Sequence, residues 1–291
     1  MISELFAQFI KEKRYIANLS ERTIRSYERD VFNRWLKLVG EMPTKQNLMR
    51  FVVGMREQGL SPTTCNITIR SFNSFLNWCH TNGHITEPLK LQQLKTEKRI
   101  MRTFSEPQMK KILSWKPNKN KCQIRLYVAM CILADTGIRI SECLSLTIEN
   151  IDWDNLLIKV TGKGNKQRIL PISIELRKVL SHYVNKQRFS KYPTPYLLCT
   201  STGTPMGYNN IKKEFNQLIA ALGIEGFDLA FHAFRRFFGK NYLKNGGNVI
   251  YLQRLFGHSD LATTKMYLED IDTQDLQLIH VRSSVLSRMR S

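Results

Sequence analysis

A histidine and a tyrosine stand nine residues apart in the stretch GHSDLATTKMY, at His258 and Tyr267. Upstream lie His232 and Arg235 in HAFRR, Lys163 in TGKGNK and Arg139 in TGIRISE. Two arginines, a lysine, two histidines and a phenol make a set suited to a phosphate ester. A guanidinium presents paired N–H donors in a fixed fork, so Arg139 and Arg235 can each hold two phosphate oxygens, which a lysine cannot do. A phosphodiester is an anion that repels nucleophiles and gains charge in its trigonal-bipyramidal transition state. Fixed donors aimed at such charge are usually the largest catalytic contribution, roughly 3–4 kcal/mol for one donor. His232 and His258 can donate hydrogen bonds or move protons near neutral pH. Tyr267 is a poor nucleophile while protonated, and clustered cations with a neighbouring base favour its phenolate. The alkoxide that leaves requires a general acid.

Taken singly, each residue has an ordinary explanation. An arginine at a helix start, such as Arg139, commonly sits on a surface, and a lysine at a hairpin tip, such as Lys163, is commonly solvated. His232 beside Phe231 reads equally as a core histidine, and Tyr267 competes with Tyr242 and Tyr251 as a packing residue. Charge adds weight to the chemical reading. Lys and Arg number 44 against 24 Asp and Glu, a net +20, and both halves of the chain carry the excess. That distribution suits a clamp around a polyanion better than one basic tail, with a merely cationic surface as the alternative. A metal-dependent nuclease or transposase would need carboxylates gathered around the ion. Here His232 and His258 are 26 residues apart with no Asp/Glu constellation beside them. Ser259, Thr263 and Thr264 read as caps and phosphate contacts, with the Ser259–Asp260 region starting the helix that holds Tyr267.

These residues need a scaffold, and at 291 residues two domains are expected. Residues 1–90 read as helices. In the second helix Ile24, Tyr27, Val31, Trp35 and Leu38 form one apolar stripe, with Arg22, Arg25 and Arg29 on the opposite side as candidate DNA contacts. Ser61-Pro62 starts another helix, whose apolar side is Ile67, Phe72, Phe75, Leu76 and Cys79. Residues 91–103 are basic and read as a linker able to lie along phosphates. Ser105-Glu106-Pro107-Gln108 is a capping-box start, and a second apolar helix from Ile124 leads into Asp135-Thr136-Gly137. Ile151–Val160 and Gln167–Ile172 read as two strands of a hairpin with Lys163 and Lys166 at its tip. Beyond Ser173 the periodicity is helical apart from YLLCT at 196–200. The six cysteines form no C-x-x-C pair and read as buried reduced thiols. No apolar run approaches a membrane span and the N-terminus lacks a secretory layout, so a soluble, cytoplasmic protein is expected.

The ordered set Arg139, Lys163, His232-x-x-Arg235, His258 and Tyr267, within DTGIRISECLSL, GKGNKQRILPI and GHSDLATTKMY, resembles the tyrosine recombinase (phage integrase) family, including its Xer-type members. The motifs span residues 104–270; residues 1–90 share helical character only. The resemblance implies a mainly α protein with a four-helix SAM-like DNA-binding domain at 1–90. It also implies a mixed α/β catalytic domain at 104–291 with a small antiparallel sheet, the two forming a clamp on DNA. It implies that Tyr267 attacks the scissile phosphate to give a 3′-phosphotyrosine and a free 5′-hydroxyl. Lys163, on a hairpin reaching into the minor groove, would be the general acid. Neither metal nor ATP would be required, because the covalent bond stores the phosphodiester energy. Glu142, three residues after Arg139, would orient or pair with it. Arg236 stands where many relatives have histidine and is expected to contact phosphate or support the fold; Phe237-Phe238 also departs from the common Thr-Phe. The implied partner is a double-stranded recombination site, bound by a dimer and synapsed by a homotetramer. The amphipathic tail, with Leu276, Ile279, Val281, Val285, Leu286 and Met289, reads as a helix folded onto its own domain or, as the resemblance implies, docked on a neighbouring protomer. Integration, excision and resolution all fall within the resemblance. A regulator that had lost catalysis would lack one of the six residues. A type IB topoisomerase would share the chemistry without needing the docking tail.

Overall fold

The computed structural model describes residues 2–97, 102–118, 120–228 and 230–257, with the backbone alone at Lys163. The chain divides into two compact units, Met1–Arg99 and Ile100–Ser291.

The first unit is helical. After α1 (Ile2–Tyr15) the Ser20 side chain accepts the Thr23 N–H and starts α2 (Glu21–Ser26). A π turn (Tyr27–Phe32) carries α2 directly into α3 (Asn33–Leu38), so 21–38 is one rod. Its inner face buries Ile24, Val31 and Trp35, while Arg22, Arg25 and Arg29 are exposed. α4 (Lys45–Glu57) follows a Thr44 cap, and α5 (Pro62–Thr81) follows a Ser61 cap with proline in the first turn. There its missing N–H leaves no bond unmade. Four helical rods thus make up the described residues of this unit, around an aromatic core in which Trp35 stacks on Phe72 at 4.5 Å.

Two asparagines extend that core. Asn73 donates to the Leu91 carbonyl at 2.9 Å and accepts the Leu91 N–H at 2.8 Å. Asn66 does the same with Leu94, at 2.8 and 2.7 Å. Seven residues is close to two helical turns, so one face of α5 presents both amides as a ladder for the returning chain. Leu91 is buried in the first unit's core. The opening residues of the segment read as a linker therefore pack on this unit.

In the second unit, α6 (Glu106–Ser114) begins with the reciprocal Ser105–Gln108 capping box, at 3.3 and 2.9 Å. α7 (Lys121–Thr136) is its central helix, with Leu126, Val128, Ala129, Met130, Ile132 and Leu133 all buried. α8 (Ile140–Leu144) is short. Three antiparallel strands follow in the order β1 (Ile151–Asp152), β2 (Leu157–Thr161), β3 (Gln167–Pro171). The single strand expected over Ile151–Val160 is thus two strands. The Asp152 carboxylate accepts the Asn155 N–H at 3.0 Å and its side-chain amide at 2.8 Å, folding the chain back on itself. This is the turn chemistry of Asp and Asn, which apolar content alone does not reveal. Across β2 and β3, Val160 faces Arg168 and Ile158 faces Leu170.

α9 (Ile174–His182) runs into a π turn (Tyr183–Gln187). The YLLCT stretch forms only isolated bridges, Thr147 with Tyr196 and Cys199 with Pro205, although Leu197, Leu198 and Cys199 are buried. α10 (Tyr208–Ala221), α11 (Phe231–Lys244) and α12 (Val249–Phe256) complete the described elements. The mostly helical architecture with a small antiparallel sheet is the fold class that the sequence leads one to expect. All six cysteines are unpaired. Among the described residues no helix is long and apolar enough to cross a membrane.

Candidate active site

Arg139 stands where α7 hands over to α8. α7 ends at Gly137, which is left-handed at φ 63° and donates its N–H to the Leu133 carbonyl. An added Cβ there would lie 2.7–2.9 Å from the Phe238 and Phe256 rings, so glycine is required by both conformation and space. Two residues on, the Arg139 N–H donates to Glu142 Oε2 at 2.8 Å and its guanidinium to Glu142 Oε1 at 3.0 Å. The carboxylate holds both ends of the arginine, and about a third of the side chain (35%) keeps solvent access.

α11 supplies the next pair. Phe231 and Phe234 bury its inner face, and His232 and Arg235, three residues apart, share a side. The guanidinium of Arg235 donates to the Gly137 carbonyl at 3.0 Å and the Phe256 carbonyl at 2.9 Å, and lies 3.9 Å above the Phe256 ring. Those carbonyls close the C-terminal ends of α7 and α12, where the helix dipole favours a cation. His232 is exposed, yet partial desolvation, then the charges of Arg235, Arg236 and Arg139, hold its imidazole below the ordinary histidine value. The three guanidiniums thus act on one ring.

Glu142 is the carboxylate among these cations. It is 4% exposed, and burial pushes its carboxyl up. Hydrogen bonds from Arg168 and from the Arg139 backbone, with both guanidinium charges, outweigh that, so it stays below the usual carboxylate range.

Residues 89–274, more than half of the chain, match the phage integrase family. The chain belongs to that family. It is 27% identical over 293 residues to tyrosine recombinase XerC of Staphylococcus epidermidis, covering 97% of this chain and 96% of that protein. Against tyrosine recombinase XerD of Listeria monocytogenes it is 27% identical over 262 residues, covering 86% and 88%. Among solved structures, the Tn1549 transposon integrase in complex with transposon right end DNA aligns with a TM-score of 0.79 at 22% identity, over 97% of this chain and 99% of that one. That last likeness is one of fold. As a phage integrase family member, the protein is a tyrosine recombinase, and its activity is site-specific DNA recombination.

The remaining expected residues of this integrase family member are placed as follows. Lys163 lies in the turn Lys163–Asn165 between β2 and β3, closed at its neck by the Gly162 N–H donating to the Lys166 carbonyl at 2.8 Å. Lys166 is exposed beside it. His258, Tyr267 and the amphipathic tail lie outside the described residues. Arg29 is 79% exposed and pairs with its neighbour Asp30 at 2.9 Å. Arg236 is the residue expected to contact phosphate or to support the fold. That side chain is buried, and its guanidinium donates to the carbonyls of Arg102, at 3.2 Å, and Asp228. It ties the segment before α6 to the loop before α11.

Sequence reasoning missed Arg168. It forks onto Glu142, with Nη1 at 3.1 Å from Oε1 and Nη2 at 2.8 Å from Oε2, and its Nε donates to the Leu255 carbonyl at 2.8 Å. A signal was available. In QRILPI, Arg168 alternates with the apolar Leu170 and so shares its inward face. An arginine facing a core requires acceptors there, a carboxylate or carbonyls.

Proposed function

We propose that Arg139 and Arg235 hold the scissile phosphate while the Tyr267 oxygen attacks it. The new O–P bond makes a 3′-phosphotyrosine, and the bond from phosphorus to the 5′-oxygen breaks. Lys163 gives its proton to that leaving oxygen, and the phenol proton passes to a neighbouring base. His232, whose imidazole is held below the ordinary histidine value by partial desolvation and then by its guanidinium neighbours, accepts or donates a hydrogen bond at the phosphate, and His258 completes the shell. Reversal by a 5′-hydroxyl from a partner duplex joins the new strands.

The observation that carries this reading is the convergence of Arg139, Arg235 and His232 around the ends of α7, α11 and α12, with Arg139 held by the buried Glu142 and Arg235 by the Gly137 and Phe256 carbonyls. The substrate is a double-stranded recombination site in the cytoplasm. Each site takes two protomers, two sites form a tetramer, and the tail docks on a neighbouring protomer. Exposed Arg22, Arg25 and Arg29, with Lys166 at the hairpin, supply backbone contacts.

The test is trapping. Incubated with a nicked target duplex, the protein forms a covalent adduct at the 3′ phosphate, and Tyr267→Phe forms none. An adduct that survives in the Phe variant moves the nucleophile elsewhere. Strand exchange between two sites, as opposed to relaxation alone, separates recombination from topoisomerase action.

A further inference from the structure

Among the described residues at this centre, Arg168 is a polar group that the chemistry above does not use. It is 14% exposed and bonds to two other chain segments, α8 and α12. Its fork closes on both oxygens of Glu142, the same oxygens that hold the Arg139 N–H and guanidinium. Its Nε reaches the Leu255 carbonyl in the last turn of α12. The space it fills is bounded by two glycines. A Cβ at Gly162, in the neck of the Lys163 hairpin, would lie 3.4 Å from Arg168 Nη1 and 3.2 Å from Glu142 Oε1. A Cβ at Gly257, just after α12, would lie 3.2 Å from Arg168 Cδ.

We propose that Arg168 is a positioning residue that couples Arg139, the neck of the Lys163 hairpin and the end of α12 into one unit, and so sets the alignment of the cleavage step. The proposal rests on the assignment of Arg139, Lys163 and Tyr267 made above. The physical reason lies in the donor count. A guanidinium supplies a planar fork for the carboxylate plus a third donor for the carbonyl, whereas an ammonium is a point charge that cannot reproduce the fork. Without the fork Glu142 keeps only its Arg139 bonds and can rotate with that arginine. α12 also loses its tie to β3. The sequence runs from α12 through Gly257 directly to His258, so a shift at Leu255 is passed along the chain.

The experiment measures single-turnover adduct formation on a nicked duplex, DNA affinity and melting temperature, using the full chain. Arg168→Gln is expected to slow adduct formation about 100-fold, the size of effect that a misplacement near 1 Å produces, while DNA affinity is unchanged. Leu180→Ala, a core truncation far along the sequence, serves as a control for lost stability and is expected to cleave at the wild-type rate. In an Arg139→Lys background, Arg168→Gln should add little further loss, because a residue acting through Arg139 is not additive with it. Arg168→Lys is expected to fall between wild type and Gln, and it carries the same three measurements if the Gln variant does not fold. Wild-type cleavage by the Arg168 variants overturns the proposal. So does a loss matched by Leu180→Ala, or one that multiplies in full with Arg139→Lys. Tyr267→Phe is run in parallel. An adduct in that variant removes the site assignment itself, whereas no adduct there with full cleavage by the Arg168 variants removes only the role of Arg168.

Discussion

His232 is surrounded by like charge. Partial desolvation and then Arg235, Arg236 and Arg139 all disfavour its protonated form, so its folded-state value lies below its unfolded one. The neutral ring is what the fold prefers. Stability is therefore fully present above the unfolded value, about 6.5, and is lost as pH falls from there toward the folded value. A proton-shift titration of the His232 ring should have its midpoint below about 6.5. A midpoint at or above that figure would mean that the cations do not act on the ring. Glu142 shows the opposite balance at the same centre, since hydrogen bonds from arginine overcome burial and keep the carboxylate charged. Among the described residues, Glu142 is the carboxylate bonded to Arg139 and Arg168, and the arginines around His232 outnumber it, which favours an incoming phosphate.

At the scale of elements, function depends on how helices end. α7 and α12 both stop at a left-handed glycine, Gly137 and Gly257, and both leave a terminal carbonyl for Arg235 or Arg168. Gly137 is the more constrained, with two aromatic rings inside 3 Å of any added carbon. Gly137→Ala should cost roughly 2–4 kcal/mol, from left-handed strain and overpacking, and should slow cleavage as well, because Arg139 follows two residues later. Thermal melts and single-turnover cleavage check both. A variant that melts and cleaves like wild type would show that the α7–α8 turn tolerates a side chain. The hairpin makes a related point. Its neck is pinned at Gly162 and Lys166 while its strands pair through five residues each, so the lysine sits on a short turn held by a rigid ladder.

For the molecule as a whole, the relevant quantity is charge. A net +20 spread over both units predicts that DNA affinity is largely counterion release. If six or more phosphates are contacted, affinity should fall about 10³-fold or more between 50 and 200 mM salt, as read by anisotropy on a labelled duplex. A flat response would remove backbone gripping as the source of affinity. The Asn66 and Asn73 ladder shows how the first unit holds on to the chain that leaves it. Side-chain amides substitute for a neighbouring strand, satisfying the Leu91 and Leu94 backbone groups that packing would otherwise leave unmet.

The sequence by itself determined the kinds of chemistry and the local punctuation. The Ser61 and Ser105 caps, the apolar stripe of Ile24, Val31 and Trp35, and the strand–turn–strand around TGKGNK were legible because each is settled by neighbours within a turn or two. The two-strand form of Ile151–Val160 was obscured by its apolar content, although the Asp152–Asn155 pair that breaks it is equally local. Only the tertiary structure decided the partners of the buried charges. Arg168 meets Glu142 across 26 residues, Leu255 across 87, and Arg235 meets Gly137 across 98. Arg236, expected to contact phosphate or support the fold, is turned inward to carbonyls 134 and 8 residues away. A buried guanidinium must find its acceptors wherever packing brings them, and that depends on how distant segments meet, which no spacing along the chain records.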